Sequence, residues 1–458
     1  MNRRTVLWFV VLLVITTSGA ICRNSGKVPA TVTLQYWTVY TEEENILPSI
    51  TAFQANHPYI KVEVRQLTPE EYENSLIEAW AQGEGPDIFS IPNSHLGKFK
   101  NLISPLPSSI KVATVTTEKS FGSTQQIVDS TAKRTISPQQ ISSLFPQVVS
   151  DDTVLVDETD TTTATEKVFG LPLSLDTLVL YYNKDLLSKG KIPLPATTWQ
   201  EFVEQVPKMT LVDIDNNVIQ AGAALGTANN VPGYFDIMSL LMMQNGAVMS
   251  LGDRILFADE SEEQRDYFPG SKALEFYTSF ANPEVEWYSW NSNQPDALET
   301  FINGTSAYFL GYHYQLADIK NRAPQLNFDI APIPQVDLAA EVNYANYWLE
   351  TVSINSAHPN EAWALVEYIT TTTAVAQAYA DATGQPAALK AILADQQEDF
   401  TLSVFANQAL TAQSWYAGSK PAEVDQAFAD MITVVNDQRL DPQTAVANTA
   451  AKVELTYE

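Results

Sequence analysis

The chain has 458 residues, of which 45% are hydrophobic and 17% are charged, and this length favours two domains over one. Its 26 basic and 54 acidic residues give a formal net charge of -28, so a nucleic-acid backbone or an anionic lipid surface would repel it. One Cys and four scattered His offer little to a disulfide, a redox centre or a zinc site. We therefore expect no nucleic-acid partner, no metal and no cofactor, and the composition excludes a disordered chain or a coiled coil.

The first 22 residues have the order of an export signal. Arg3 and Arg4 precede an apolar run at 6–15, and small residues follow it up to Cys22. Because this is the one Cys of the chain and lies just after the apolar run, the segment resembles a bacterial lipoprotein signal that is lipidated at Cys22. We expect the mature protein to lie outside the cytoplasm, attached to the cell membrane.

Two other interpretations of the N-terminus stay open. A lipoprotein signal has an aliphatic residue three before the cysteine and a small one just before it, where this chain has Gly19 and Ile21. Ser18-x-Ala20 could instead be the cleavage site of a freely secreted or periplasmic protein. Residues 6–21 could also remain as a membrane anchor, although they are shorter than the ~20 residues that span a bilayer comfortably.

Strands alternate with helices in the next part of the chain. Alternating apolar residues predict strands at 31–37 and 60–64, and Gly85-Pro86 leads into a third at 87–91. Thr41 and Glu44 read as the capping box of one helix, and Thr68-Pro69 begins another that ends at Gly83. This order indicates βαβ units and a mainly parallel sheet.

The amino-acid composition changes twice in the later part of the chain. Residues 107–166 are rich in Ser, Thr, Gln and Asp, and we interpret part of them as a surface insertion. Regular structure resumes with a buried strand within 168–183, Thr198-x-x-Glu201 caps a helix, and amphipathic stripes predict helices at 359–370 and 421–435.

Signatures of catalysis and metal binding are missing from the sequence: it has no G-x-S-x-G, H-E-x-x-H, Walker or G-x-G-x-x-G motif. Asp213-x-Asp215-x-Asn217 is similar to the start of a calcium loop but lacks the Gly and Glu that such a loop needs, so it predicts a polar hairpin turn. A glycosidase needs only two carboxylates brought together in space, and 54 acidic residues leave such a pair unidentified.

Aromatic residues in polar surroundings are the positive signal. A flat ring covers the C–H face of a sugar while neighbouring Asp, Glu, Asn and Gln bind its hydroxyls. The aromatic groups stand at Tyr36-Trp37 and Tyr40, Trp287-Tyr288 and Trp290, Tyr312 and Tyr314, Tyr347-Trp348, and Trp415-Tyr416. Any one of them could equally be ordinary packing, so only the whole set of aromatic groups favours a sugar-binding site.

A series of motifs resembles the family-1 extracellular solute-binding proteins of bacterial ABC importers, the broad group that includes maltose-binding protein. The motifs are Phe53-x4-Pro58-x-Ile60-x-Val62; Gly83-x2-Pro86-Asp87-Ile88; Phe169-Gly170-Leu-Pro172 with Asp176-Thr177 and Tyr182-Asn-Lys-Asp185; Thr198-Trp199-x-Glu201-Phe202; Phe301-x2-Gly304-x2-Ala307-x3-Gly311; and Asn360-Glu-Ala362-Trp363. The resemblance covers nearly the whole mature chain. Two departures bear on the ligand: Tyr312-His313 stands where many members have Pro-Trp, and the Ser/Thr-rich stretch is longer than usual.

The resemblance implies an α/β fold of two lobes, each a mainly parallel sheet flanked by helices, with a cleft between them and a hinge of three crossings. It places the crossings near 173–176, 348–352 and 402–406. The implied first lobe comprises 31–173 with 352–402, and the implied second lobe comprises 176–348 with 406–458.

The resemblance also implies a function without catalysis: capture of a solute, most simply a sugar or oligosaccharide, and delivery to the permease subunits of an ABC importer by a monomer. The implied ligand-binding residues are Trp37, Tyr40, Asn93, Ser94, Asp176, Tyr234, Phe235, Tyr312, His313, Trp348 and Trp415. Two alternatives remain at this point: a secreted carbohydrate-active enzyme with a carboxylate pair, and a binding protein for a cationic solute such as a polyamine.

Overall fold

A computed structural model describes residues 27–120, 123–157 and 165–457. The expectations about the signal segment 1–22 and the lipidation of Cys22 lie outside these residues. In the described ranges, no helix combines the length and apolar character needed to cross a bilayer.

The strands of the described ranges are, in chain order, β1 (Val32–Thr38), β2 (Ile60–Gln66), β3 (Ile88–Pro92), β4 (Ser109–Ile110), β5 (Thr114–Ser120), β6 (Ser123–Asp129), β7 (Lys133–Arg134), β8 (Val154–Asp157), β9 (Thr165–Val168), β10 (Leu171–Pro172), β11 (Asp176–Thr177), β12 (Val179–Asn183), β13 (Leu211–Val212), β14 (Val218–Ala223), β15 (Ser250–Leu251), β16 (Arg254–Ile255), β17 (Ser306–Gly311), β18 (Phe328–Ala331), β19 (Asn343–Asn346), β20 (Trp348–Val352) and β21 (Ala412–Gln413).

The α-helices of the same ranges are α1 (Glu43–Asn56), α2 (Pro69–Gln82), α3 (Leu96–Phe99), α4 (Pro138–Leu144), α5 (Gln147–Thr153), α6 (Lys184–Lys189), α7 (Trp199–Met209), α8 (Tyr234–Gln244), α9 (Pro269–Ser279), α10 (Ala297–Ile302), α11 (Tyr314–Arg322), α12 (Pro359–Thr371), α13 (Thr373–Thr383), α14 (Lys390–Gln396), α15 (Ser403–Gln408), α16 (Pro421–Asn436) and α17 (Pro442–Glu454).

Two five-stranded sheets organise the molecule as two lobes. The first lobe contains the sheet β10-β20-β3-β1-β2, and the second contains β13-β14-β17-β12-β18. Each sheet lies in its own hydrophobic core: Tyr36, Phe89 and Trp363 are fully buried in the first, and Tyr181 and Trp290 in the second. The expected two-lobe α/β fold is thereby confirmed.

The pairing within the sheets is mixed rather than mainly parallel. In the first lobe β1 is parallel to β2 and β3, whereas β20 is antiparallel to β3 and β10. In the second lobe β14 and β17 are parallel, but β12 is antiparallel to both β17 and β18. The physical reason in the first lobe is the crossing of the chain: β20 enters from the other lobe, so no crossover helix sets its direction.

A small sheet, β11-β19-β21, lies where the chain passes between the lobes. The first passage runs from β10 to β11 and the second from β19 to β20. The third runs from α14, whose Ile392 and Leu393 belong to the first core, to α15, whose Phe405 belongs to the second. These three connections form the hinge.

Local signals explain where several helices begin and end. Thr198 caps α7, since its side chain accepts a hydrogen bond from the Glu201 backbone N–H (3.2 Å), as predicted. Helix α2 begins at Pro69, and Gly83 follows its last residue as a cap in the left-handed region (φ 75°). The capping box at Thr41 is wrong: α1 begins at Glu43, and Thr41 is buried with its backbone N–H on the Thr38 hydroxyl.

Only part of the Ser/Thr-rich segment 107–166 lies on the surface. It forms the antiparallel hairpins β5–β6 and β8–β9. Between them Ile141 of α4, Phe145 just after α4 and Val149 of α5 enter the first core, each fully buried. The sparse apolar residues of this segment recur at helical spacing, which is why these helices pack inward. The predicted hairpin turn at 213–217 is confirmed between β13 and β14, where the Asp213 carboxylate accepts the backbone N–H groups of Asp215 and Asn217.

Candidate functional site in the cleft between the lobes

Aromatic rings form the first-lobe wall of the cleft. Trp348 is the first residue of β20 and is half-buried, and the ring of Tyr40 meets it edge to face with centroids 5.2 Å apart. The ring of Tyr72 also meets the Trp348 ring edge to face, with centroids 6.4 Å apart. Tyr40 itself is 59% exposed, so this pair leaves aromatic surface accessible to a ligand.

The second-lobe wall combines aromatic rings with a carboxyl group. Tyr312 stacks on Tyr314 with centroids 5.7 Å apart, and its hydroxyl donates to Asp236 Oδ2 over 2.6 Å. Burial raises the pKa of Asp236 to about 6, although the hydrogen bonds from Tyr312 and Asn346 oppose that shift. At neutral pH Asp236 is therefore mainly an ionised acceptor.

The two walls come close enough to interact. The Tyr314 side chain is 63% exposed, yet partial burial of its hydroxyl is still the largest cause that raises its pKa, and the carboxylates of Asp236 and Asp176 and the phenol of Tyr40 add to it. Since Tyr40 belongs to the first lobe and Tyr314 to the second, this electrostatic effect indicates that the two side chains lie near one another at the cleft.

A cavity of about 330 Å³ lies between the lobes next to Asp236. The first lobe contributes Ser94 and His95, and the second contributes Tyr234, Phe235, Asp236, Tyr416, Pro421, Ala422 and Asp425. Its size is at the lower end of the range of small-molecule sites. The cavity thus offers aromatic surface beside polar groups.

The charges around the cavity are mainly acidic. The Tyr234 hydroxyl donates to Asp425 Oδ2 over 2.6 Å, and Asp425 also acts electrostatically on Asp236. His95 is neutral at pH 7, because burial and then the nearby Lys98 lower its pKa to about 4. Among the described residues that line the cavity there is no Lys or Arg, so the site suits uncharged hydroxyl groups better than an anion.

The floor of the cleft is a buried hydrogen-bond network centred on Asp152 of α5. Its carboxylate accepts from Asn93 Nδ2 (3.0 Å), from the Tyr347 hydroxyl (2.5 Å) and from the Ser414 hydroxyl. Burial raises the pKa of Asp152 against the effect of these three donors. Because Asn93 is 7% exposed and bonded here, its side chain holds the hinge in this structure.

The carboxylate of Asp176, a residue of β11, lies at the N-terminus of α11. It accepts the backbone N–H groups of His313 (3.0 Å), Tyr314 (3.2 Å) and Thr177 (2.8 Å). Burial outweighs these bonds and raises the pKa of Asp176 to about 7. The His313 ring packs edge to face on Phe405 at 5.2 Å, and burial lowers its pKa to about 4. Both residues therefore fix the helix that carries Tyr314.

The remaining predicted site residues, Trp37 and Trp415, do not line the cavity. Trp37 is 6% exposed in β1, with the Arg65 guanidinium 4.5 Å from its ring centre, so its ring faces the neighbouring strand. Trp415 stacks on Phe235 at 5.9 Å and its Nε1–H donates to the Ser239 hydroxyl (2.9 Å). Trp415 thus backs the cavity through Phe235.

The structure brings together at the cleft Tyr40, Trp348, Tyr312, Tyr234, Phe235 and Ser94 from the predicted set. Sequence reasoning missed Asp236, Tyr314, His95, Asp425 and Asp152 as candidates. Tyr314 stood in a noted aromatic pair, but the acids had no spacing signal, because Asp236 meets Tyr312 over a separation of 76 residues. Among the described residues, no group of three or more His, Cys, Asp or Glu could hold a metal ion.

Two lobes, three crossings and an aromatic and acidic cleft define a binding protein of the two-lobe periplasmic type. A family model for the bacterial extracellular solute-binding proteins matches residues 49–402, and the chain belongs to that family. The chain spans about half the length of the curated relatives that it matches. It is 24% identical over 235 residues to the multiple sugar-binding protein of Streptococcus mutans, covering 50% of this chain and 54% of that protein.

Another relative is the maltodextrin-binding protein MdxE of Bacillus subtilis, 25% identical over 300 residues, which cover 63% of this chain and 66% of MdxE. Among solved structures, a cyclo/maltodextrin-binding protein complexed with maltotetraose aligns with a TM-score of 0.68 at 19% identity, over 94% of this chain and 98% of that one. The cyclic alpha-maltosyl-1,6-maltose binding protein from Arthrobacter globiformis aligns with a TM-score of 0.71 at 15% identity, over 93% and 99%. These likenesses confirm the two-lobe fold.

Proposed function

We propose that the chain captures a neutral saccharide in the cleft and delivers it to the permease subunits of an ABC-type importer. The observation that carries this proposal is the placement of the Tyr40–Trp348 pair opposite Tyr314 and the carboxylate of Asp236. Rings of this kind cover the apolar face of a sugar, and a carboxylate accepts hydrogen bonds from its hydroxyls. Family membership and the sugars named for relatives and neighbours support the same class of ligand.

The proposed contacts divide between the two walls and the cavity. Tyr40 and Trp348 would stack on sugar rings, and the cavity residues Ser94, His95, Tyr234, Asp236 and Asp425 would bind hydroxyls. Asn93, Asp176 and His313 would act through the hinge and α11, because their polar atoms or rings are already engaged. We propose the lobe extents 31–173 with 352–402 and 176–348 with 406–458, apart from β20 (Trp348–Val352), which pairs with β3 and β10 in the first-lobe sheet.

We also propose that the protein acts without catalysis, as a monomer outside the cytoplasm, and that lipidated Cys22 attaches it to the membrane. The family to which the chain belongs is one of binding proteins, and this supports a role without turnover. The enzyme alternative has no specific observation in its favour. The acidic and aromatic lining of the cavity would also suit a cation, so a polyamine is included in the test below.

A thermal-shift screen tests the proposed ligand class. A ligand that binds only the folded state raises the melting temperature, so maltotetraose or mannotriose should stabilise the protein, and spermidine should not. Asp236→Asn should need about tenfold more saccharide to reach the same rise in melting temperature. This is the effect of weakening one charge-assisted hydrogen bond. The control Asp395→Asn, at an exposed position of α14 in the first lobe, should respond like the wild type. Stabilisation by spermidine alone would overturn the proposal.

A further inference from the structure

The segment 414–418 follows β21 and contacts both lobes; we call it the clasp. At its start, the Ser414 hydroxyl donates to Oδ1 of Asp152 in the first lobe. The same carboxylate is held through Oδ2 by Asn93 (3.0 Å) and Tyr347 (2.5 Å). One end of the clasp is therefore tied to a buried group that cannot move independently of the hinge.

A second first-lobe contact lies at Gly97 in α3. A Cβ atom added at this position would lie 2.0 Å from the carbonyl oxygen of Ala417 and 2.5 Å from that of Gly418. Both are backbone atoms, which cannot turn aside as a flexible side chain would. The clasp therefore reaches α3 only because residue 97 has no side chain.

The same segment is anchored in the second lobe. Trp415 Nε1–H donates to the Ser239 hydroxyl over 2.9 Å, and the Tyr416 hydroxyl donates to Thr456 Oγ1 over 3.0 Å. The Ala417 backbone N–H donates to the Tyr457 hydroxyl over 3.1 Å. The clasp thus joins the two lobes through contacts on both sides.

The clasp also forms part of the wall of the cleft. Tyr416 lines the cavity together with Ser94 and Asp236. Tyr40 and Trp348 do not line it, but a series of contacts joins them to Asp236: Tyr312 bonds Asp236, Tyr314 stacks on Tyr312 and interacts with Tyr40, and Tyr40 meets Trp348. We propose that the clasp closes one end of the cleft, so that a saccharide binds by its chain end and extends past Asp236 towards Tyr40 and Trp348. This inference rests on the proposed function and narrows its substrate class to linear saccharides with a free end.

Gly97, Asp152 and Ser414 are then positioning residues that act through the clasp rather than by touching the ligand. A cyclic saccharide has no chain end to place in the closed part of the cleft, so it should bind more weakly than a linear one. Opening the clasp should remove that discrimination.

The variant Gly97→Ala tests this directly, with Gly190→Ala as its matched control. At Gly190 an added Cβ would meet a movable side-chain atom, Met209 Cγ, at 3.0 Å, and the residue has an ordinary φ of -72°. The probes are maltotetraose and α-cyclodextrin, measured by calorimetry, and the shape of the protein is measured by small-angle X-ray scattering. The wild type and Gly190→Ala should bind the linear glucan at least about 100-fold tighter than the ring, a difference of about 2.7 kcal/mol.

Gly97→Ala should show a larger radius of gyration and should reduce the preference for the linear glucan to less than about tenfold. Equal binding of ring and linear glucan by the wild type would overturn the proposal, as would a Gly97→Ala protein with unchanged scattering and preference. If Gly97→Ala does not fold, Ser414→Ala, which only deletes a hydrogen-bond donor, takes its place with the same criteria.

Failure of the proposed function would give a different result. If neither glucan binds the wild type and other neutral saccharides also fail, the saccharide function is wrong. The clasp is then judged by scattering alone: expansion of Gly97→Ala against an unchanged Gly190→Ala supports it, and identical curves reject it.

Discussion

Tyr40 and Trp348 are the side chains through which the first lobe can offer a sugar-binding surface. Their contact is edge to face, so one ring fixes the orientation of the other. Trp348 also touches Tyr72 and packs against the first core, so its substitution will affect both stability and binding. The two effects can be separated by comparison with a tryptophan that has only a structural role.

Trp348→Ala should weaken saccharide binding by ~1–3 kcal/mol, the loss expected for a partly exposed aromatic anchor. The control is Trp363→Ala, because Trp363 is fully buried in the same core and donates to the Ser104 carbonyl oxygen. That control should cost ~3–5 kcal/mol of folding free energy while leaving the affinity of the folded protein unchanged. Denaturant unfolding and calorimetry measure the two quantities; unchanged affinity in Trp348→Ala would remove this residue from the site.

Glu350 determines part of the pH dependence of stability. It is 1% exposed in β20, and burial raises its pKa to about 7 even though the Ser90 hydroxyl donates to it over 2.7 Å. Because the folded-state pKa lies above the unfolded value, the folded protein binds the proton more tightly between these two values. The stabilisation is complete below the unfolded pKa and is lost as pH rises through about 7.

Raising the pH from 4.5 to 7.5 should therefore lower the unfolding free energy of the wild type by about 3 kcal/mol more than that of Glu350→Gln. Asp176 and Asp236 also have raised pKa values, but they are present in both proteins and cancel in the difference. Glu71→Gln, at an exposed position of α2, should retain the wild-type profile. Parallel pH profiles for the wild type and Glu350→Gln would contradict this assignment.

At the scale of elements, α11 links the hinge to the cleft. Asp176 in the hinge strand β11 accepts two N–H groups at the start of this helix, whose first residue is Tyr314. A carboxylate at a helix N-terminus satisfies unpaired donors and interacts favourably with the helix dipole. The position of Tyr314 therefore depends on a residue of the hinge.

Asp176→Ala should destabilise the protein by ~1–2 kcal/mol and also weaken saccharide binding, because α11 loses its cap and Tyr314 its fixed position. The matched control is Asp441→Ala, since Asp441 caps α17 by accepting the Thr444 backbone N–H over 2.9 Å. The control should lose comparable stability and keep its affinity. Equal affinities for the two variants would show that α11 does not position the ligand.

Elements with a regular pattern could be predicted from sequence, and the polar contacts between distant segments could not. The alternation in β1 and the start and end signals of α2 and α7 are local, so they identified these elements. Thr41 failed as a cap because it is buried and its side chain interacts with the Tyr379 hydroxyl instead of with α1. Asp152 and Ser414 are 262 residues apart, and no local pattern reveals a partner at that separation.

For the whole molecule, the two separate cores explain how a cleft can change shape without unfolding. Each lobe has its own sheet and buried cluster, and the chain crosses between them through short hinge connections. Rigid bodies joined in this way rotate about a few hinge residues when a ligand binds between them. The clasp and the Asp152 network are the contacts that would limit such a rotation on one side.

Calorimetric titration followed by chromatography of the recovered ligand tests the central claim, saccharide capture without turnover, most directly. Stoichiometric wild-type protein is titrated with a neutral linear saccharide that stabilises it, then incubated with it and denatured to release it. We expect saturable one-to-one binding and chemically unchanged ligand. Shortened products that disappear on substitution of a single Asp or Glu would contradict it in favour of a glycosidase, and absence of binding to every neutral saccharide would contradict the ligand class.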